Sequence, residues 1–297
     1  MTKLKTQPAA GEAQLTERLR RHVQVLAGEI GNRNLYAAAN LAEAARYVEG
    51  HLMQAGYTVE SQPYQAEGQT VRNLIVTKPG TDPSLDPLLI GAHYDTAGNP
   101  GADDNASGTA ALLELARWAG EHAFARTLTF VAFTNEEPPF FQTELMGSRV
   151  YARAAKARGK RIRAALILES IGYYTDAPNS QRYPPFYGLF YPNRGNFLGV
   201  VSNLRYRRLA GEVARAFKRR SRLPIESVAA PDFIPGVTWS DHWSFWKEGY
   251  QAVMLTDTAF LRNPNYHMDS DTPDTLDYAK LAAVVEGLRG VMEEFAH

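Results

Sequence analysis

The chain has 297 residues, enough to bury a sizeable core, and its 32 Lys and Arg balance 32 Asp and Glu, so no net field favours nucleic acid or an anionic membrane. It has no cysteine, which excludes disulfides, thiolate catalysis and cysteine-bound zinc. No run approaches the ~18 apolar residues of a membrane span, and the start, MTKLKTQPAAGEAQLTERLRRHV, lacks the apolar centre of a signal peptide. As it stands the chain reads as cytoplasmic; a secreted or periplasmic location would follow if an N-terminal signal had been removed.

In chain order, Leu15, Leu19, Val23 and Leu26 recur at three- and four-residue steps and predict an amphipathic helix ending near Gly31. Leu41, Ala45, Val48 and Leu52 predict a second, closed by Gly56. YTVESQPY, TVRNLIVT and PLLIGAHY read as strands, and a helix follows over about 106–120. TLTFVAFT (127–134) is strand-like, 145–158 helical, and AALILESI (164–171) strand-like again. Residues 173–200, rich in Tyr, Phe, Pro and Asn, read as a long ordered loop whose aromatic side chains are suited to frame a pocket for a substrate side chain. A helix over 203–219, the strand AVMLT (252–256) and a final helix from about 277 complete the chain. Helices alternating with near-continuous apolar strands predict an α/β fold with a largely parallel, buried sheet. With no repeat, low-complexity segment or linker, one domain over 1–297 is expected, with helices of about 12–55 packed on it.

The chemistry gathers at strand ends. GAHYDTAGNPGADDNASG (91–108) sets His93, Asp95, Asp103 and Asp104 among glycines, between an apolar strand and an amphipathic helix start. Glu136 and Glu137 follow FVAFTN, Glu169 lies inside LILES, and His267 follows the last strand in NPNYHMDSDTPD. In a parallel sheet the carboxyl ends of strands converge on one crevice, so these groups can meet. Two imidazoles with several carboxylates suit zinc or a similar first-row ion; calcium takes oxygen ligands only. Taken singly, each has an ordinary structural explanation: DDNASG caps a helix, paired glutamates sit in a solvated turn, a lone histidine lies on the surface. Glu169 is different, because a carboxylate inside an apolar strand needs a partner. Recurrence at successive strand ends favours one site.

These blocks, with LMGSRVYA, SDHWSFWKEGYQAVMLTDT and YHMDSDTPDTLDY, resemble in order, from about residue 70 to 290, the M28 family of zinc peptidases, mostly aminopeptidases. The resemblance implies a three-layer α/β/α domain with a mixed, mainly parallel central sheet and two adjacent zinc ions per chain, acting on peptide substrates. Carried over by position, Asp104 would bridge the metals, His93 and Glu169 would complete one, and Glu137 and His267 the other. Glu136 would be the general base and Asp95 would orient His93. Two departures stand out. Glu169 occupies a position where many relatives have aspartate, and PPFFQTEL (138–145) intervenes where relatives run directly from the glutamate pair into the next block.

The residue chemistry supports the same roles. Pleat alternation would send Glu136 and Glu137 to opposite sides, one to water and one to metal. Gly101 and Gly108 allow the backbone to turn closely around Asp104. Tyr266 is placed to donate to an oxyanion or to pack against His267. Asp241 and His242 are expected to brace the site. Two other functions share this frame: a glutaminyl-cyclase-like acyltransferase using one zinc, and a binding module that has lost its ligands. The intact glutamate pair and the complete ligand set favour hydrolysis.

Overall fold

A computed structural model describes residues 10–297; the first nine, part of the start read above as lacking a leader segment, lie outside the described residues. Eight strands form one sheet: β1 (Glu60–Ala66), β2 (Gln69–Lys78), β3 (Leu88–His93), β4 (Leu128–Phe133), β5 (Ala164–Glu169), β6 (Leu198–Asn203), β7 (Ile225–Ala230) and β8 (Ala252–Thr256). Their spatial order is β1-β2-β4-β3-β5-β8-β6-β7. The pairs β4–β3, β3–β5, β5–β8 and β6–β7 are parallel, and β1–β2, β2–β4 and β6–β8 antiparallel. The sheet is therefore mixed and mainly parallel, as expected.

Period-two alternation divides the core. Leu88, Ile90, Leu128, Phe130, Leu166 and Leu168 face one layer, while Leu89, Val131, Phe133, Ala165 and Ile167 face the other. The first face is covered by α3 (Gly108–Gly120), α5 (Arg207–Arg220) and α7 (Tyr278–Ala296), the second by α4 (Gly147–Ala157) and the short α6 (His242–Lys247). Helices α1 (Ala10–Val23) and α2 (Ala38–Gln54) pack on α3, and α1 also on α7. The run containing Leu15 to Leu26 is helical as expected, with a wider π turn over Gln24–Ile30 and a stop at Gly31, whose φ is +74°.

Two strands and one helix were not legible. β6 lies partly inside the stretch read as loop, and β7 and α6 gave no periodic signal. β7, IESVAA, is a half-exposed edge strand with neither strict alternation nor a continuous apolar run.

Consecutive strands β3, β4 and β5 are adjacent in space, and the chain steps to one side of β3 for β4 and to the other for β5. The carboxyl end of β3 is thus a switch point, where an α/β sheet opens a crevice.

Candidate metal centre

His93 is the last residue of β3 and fully buried. Its Nε2 lies 3.3 Å from Asp104 Oδ1, 3.3 Å from Glu169 Oε2 and 4.0 Å from Glu136 Oε2. His267 Nε2 lies 3.1 Å from Asp104 Oδ2 and 3.3 Å from Glu137 Oε2. Asp104 therefore turns one oxygen to each histidine. Among the described residues three groups could hold a metal ion: His93, Asp104 and Glu169; Asp104, Glu137 and His267; and His93, Glu136 and Glu137. The structure brings together all five residues carried over as ligands, with Glu136 beside them.

The polar atoms crowd together without satisfying one another. Both ring nitrogens of His93, Asp104 Oδ1 and Glu137 Oε1 are buried with no hydrogen-bond partner. Buried polar groups left in this state are uncommon and call for an ion. Two histidines and several carboxylates are a donor set of zinc type, so the residues present fit that metal.

The charges carry the same message. Burial opposes protonation of His93, but Glu169, Asp104 and Asp95 outweigh it and hold the imidazole well above its ordinary value. Burial likewise opposes His267, which Asp104 and Glu137 raise to about 10. Burial and the Asp104 charge push Glu137 up to about 8, and burial with Glu169 and Glu137 nearby pushes Glu136 well up. Without an added cation Glu136, Glu137 and Glu169 hold protons more tightly than ordinary carboxylates, whereas His267 and His93 hold Asp104 well below the ordinary range despite its burial.

Backbone architecture fixes the ligands. Gly101 takes φ +60°, and a Cβ there would lie 2.3 Å from Asp104 O; at Gly108 a Cβ would lie 2.3 Å from Asn105 Oδ1. The expected close turn around Asp104 is present. Asn105 ties the loop to β5, donating from Nδ2 to Leu168 O at 2.8 Å and accepting from Gly108 N and Ser170 N. Asp271 accepts from the amides of Asp103 and Asp104 at 2.9 and 3.2 Å. Asn135, Ser170 and His267, at or beside the ligands, hold φ of +56°, +46° and +59°. Such strain persists where surrounding structure over-determines it and gathers at functional sites.

One local expectation needs correction. Glu136 and Glu137 lie beyond the end of β4, so pleat alternation does not separate them. Asp95 anchors their loop instead: its two oxygens accept the Glu136 and Glu137 amides, each at 3.2 Å, while Oδ1 sits 3.5 Å from His93 Nδ1. Asp95 thus links β3 to the glutamate pair, and its 3.5 Å approach to His93 Nδ1 falls short of a hydrogen bond. Glu136 then approaches His93, and Glu137 approaches His267.

Other supporting residues gave weaker signals. Ser240 Oγ donates to Glu169 Oε2 at 2.7 Å. Asp241 is fully buried, with burial and the nearby Glu169 and Asp95 charges, offset in part by His93, raising it to about 7. His242 turns away from the centre, donating from Nε2 to Val237 O at 2.8 Å and packing against Trp246; it braces a loop rather than the ligands. Arg33 lies outside every motif that carries the resemblance. Fully buried, it donates to the carbonyls of Tyr94, Pro100, Gly101, Leu26 and Gly31, clamping the loop between His93 and Asp104. Nothing in GNRNLY distinguishes it in advance.

Beside Glu169 opens an apolar pocket. Tyr183, Tyr187 and Tyr191 line it together with Ile234, Val237 and Trp239, and so does Tyr266, whose ring stacks on His267. The aromatic stretch within 173–200 does frame a pocket, as expected.

The description of peptidase family M28 matches residues 73–292. The chain is 38% identical over 282 residues to Uncharacterized protein YfbL of Escherichia coli (strain K12), covering 92% of this chain and 86% of that one. It is 26% identical over 285 residues to Probable leucine aminopeptidase 1 of Trichophyton verrucosum (strain HKI 0517), covering 89% and 70%. Its fold is similar to BSAP, a zinc aminopeptidase from Bacillus subtilis, with TM-score 0.73, 15% identity, and 94% and 95% of the two chains covered.

Proposed function

The chain belongs to peptidase family M28 and is a hydrolase, a metallo-aminopeptidase; from that premise we propose that it uses two zinc ions to remove N-terminal residues with apolar side chains from peptides. The observation that carries the two-metal reading is Asp104, whose oxygens reach separate histidines at 3.3 and 3.1 Å. His93 and Glu169 would hold one ion, His267 and Glu137 the other, and Asp104 both. Zinc, when bound, acidifies a water and polarises the scissile carbonyl.

The chain's own residues do the rest. Glu136, near His93 but the least committed of the carboxylates, takes the proton from the attacking water and delivers it to the leaving amine. Tyr266, which lines the pocket and stacks on His267, donates its hydroxyl to the developing oxyanion. Glu169, the carboxylate that lines the pocket, draws the substrate's ammonium group, while the aromatic walls receive its side chain. Ligands at both histidines support hydrolysis over acyl transfer with one zinc. We read the chain as one unit, since α1 and α2 pack on the same helix layer that covers the sheet.

The experiment combines metal analysis with two substrates. Zinc-reconstituted protein should hold about two zinc ions per chain. It should cleave free-amine aminoacyl amides and spare their N-acetyl forms. One ion at saturation would overturn the two-metal reading, and equal cleavage of both substrate forms would overturn the exopeptidase reading. No helix among the described residues is long and apolar enough to cross a membrane.

A further inference from the structure

Segment 138–145 follows Glu137 directly and reaches, through Gln142, a loop that contributes to the apolar pocket. Glu137 O accepts the amides of Phe140 and Phe141 at 3.0 and 3.2 Å, and Phe140 is buried, so the segment folds tightly against Glu137. At Gln142 the backbone turns with φ +56°. Its Nε2 then donates to Thr238 O at 2.9 Å and to Thr238 Oγ1 at 3.3 Å. Among the described residues these bonds are the hydrogen bonds that join segment 138–145 to loop 231–239.

That loop is one wall of the pocket. Ile234, Val237 and Trp239 line it, and Gly236, at φ +89°, lies so close to Phe260 that a Cβ would meet the ring at 3.2 Å. Contact runs from this wall back to the metal centre. Trp239 packs on Phe260 with centroids 5.0 Å apart, Phe260 on Tyr266 at 6.2 Å, and Tyr266 on His267 at 3.9 Å. On its inner side the loop is held by His242, through the bond to Val237 O. On its outer side the hold is Gln142. The outer part of the loop is exposed, with Phe233 82% and Trp239 42% accessible, so little burial fixes it.

We propose that Gln142 is a positioning residue for substrate selection: it latches loop 231–239 in the place where its apolar side chains close the pocket around a large N-terminal side chain. This rests on the aminopeptidase reading. A small side chain leaves the wall largely untouched, whereas a large one needs it in place. Losing the latch therefore weakens binding of large apolar residues more than of alanine.

The test uses the zinc-loaded 297-residue chain, with Gln142→Ala and the near-isosteric Gln142→Glu, which cannot donate to the Thr238 carbonyl. The ratio of kcat/KM for phenylalanyl over alanyl 4-nitroanilide should fall about 2- to 10-fold in both, the range set by one net hydrogen bond, and should enter through KM. Acrylamide quenching of tryptophan fluorescence should rise, since Trp239 is the most exposed of the four tryptophans. An unchanged ratio overturns the proposal, even if quenching rises. Equal losses on both substrates with lost zinc overturn it too, because segment 138–145 would then act through Glu137. If the wild type cleaves neither amide, the aminopeptidase reading fails separately. The latch is then judged by calorimetric binding of L-phenylalanine to the zinc-loaded proteins, where weaker binding to both variants supports it and equal binding overturns it.

Discussion

Tyr266 lies flat on His267, with ring centroids 3.9 Å apart and planes 17° from parallel. The stack limits how the imidazole can swing, and it sets the phenol at the border of pocket and metal centre. Burial and the charges of Asp104, Glu137 and Glu169 push the phenol well above its ordinary value, so it stays a neutral donor.

Tyr266→Phe separates the two contributions, because it keeps the stack and removes only the hydroxyl. With the hydroxyl at the oxyanion, kcat should fall on the order of 10²-fold while zinc content and KM hold. A kcat within about twofold of wild type would reduce Tyr266 to packing.

A second prediction concerns stability rather than catalysis. Glu114, on α3 and nearly inaccessible, accepts from Arg18 at 2.9 Å and Arg117 at 3.1 Å and lies 3.4 Å from His22. Burial opposes its charge, yet His22, Arg117 and Arg18 outweigh burial and lower it to about 2. A carboxylate depressed in the folded state stabilises above its unfolded value, and that stability is lost as pH falls from about 4.5 towards about 2. Glu114→Gln should thus cost on the order of 2–3 kcal/mol at neutral pH, and its deficit against wild type should shrink through that window. Denaturant midpoints of both proteins at neutral and acid pH measure it. A deficit independent of pH would assign the effect to packing.

How much was legible in advance follows from where the physical signal lies. β3, β4, β5 and β8 are buried on both faces, so they read as continuous apolar runs, and the residues at their ends could be placed in one crevice. β7 forms the far edge, where partial exposure erases that pattern; β6 is almost wholly buried, but its apolar run stops at Val201 before Ser202 and Asn203 and adjoins the aromatic loop. Asp104 was singled out from Asp103 by the family resemblance, and the flanking glycines added only the expectation of a close turn there. Arg33 was not, because its partners are backbone carbonyls brought near by tertiary folding, which no residue type announces. The glutamate pair was found by its place after β4 and by the family resemblance, but the pleat argument for separating the two does not apply, because alternation needs a strand and they lie in a loop whose amides both bond Asp95.

That loop supplies the sharpest test of the catalytic assignment. Glu136 and Glu137 are neighbours with nearly equal burial, so burial alone does not distinguish them. Their surroundings do. Glu137 Oε2 is 3.3 Å from His267 Nε2 and shares Asp104 with it, a ligand's position. Glu136 Oε2 stands 4.0 Å from His93 Nε2, while Asp104 and Glu169 each approach that nitrogen to 3.3 Å, so it is free to handle a proton. Glu136→Gln keeps the shape and the five ligands and removes proton transfer, for which a loss of roughly 10²–10⁴-fold in kcat is expected with zinc content and KM little changed. Glu137→Gln replaces an anionic ligand by a neutral amide. Zinc affinity at the His267 side should drop, and excess zinc should restore part of the activity. Zinc titration and kcat of the two variants decide between the roles. If Glu136→Gln loses metal while Glu137→Gln keeps both ions and most of its activity, the assignments are reversed. If both variants retain near wild-type turnover, the chemistry lies elsewhere in the chain.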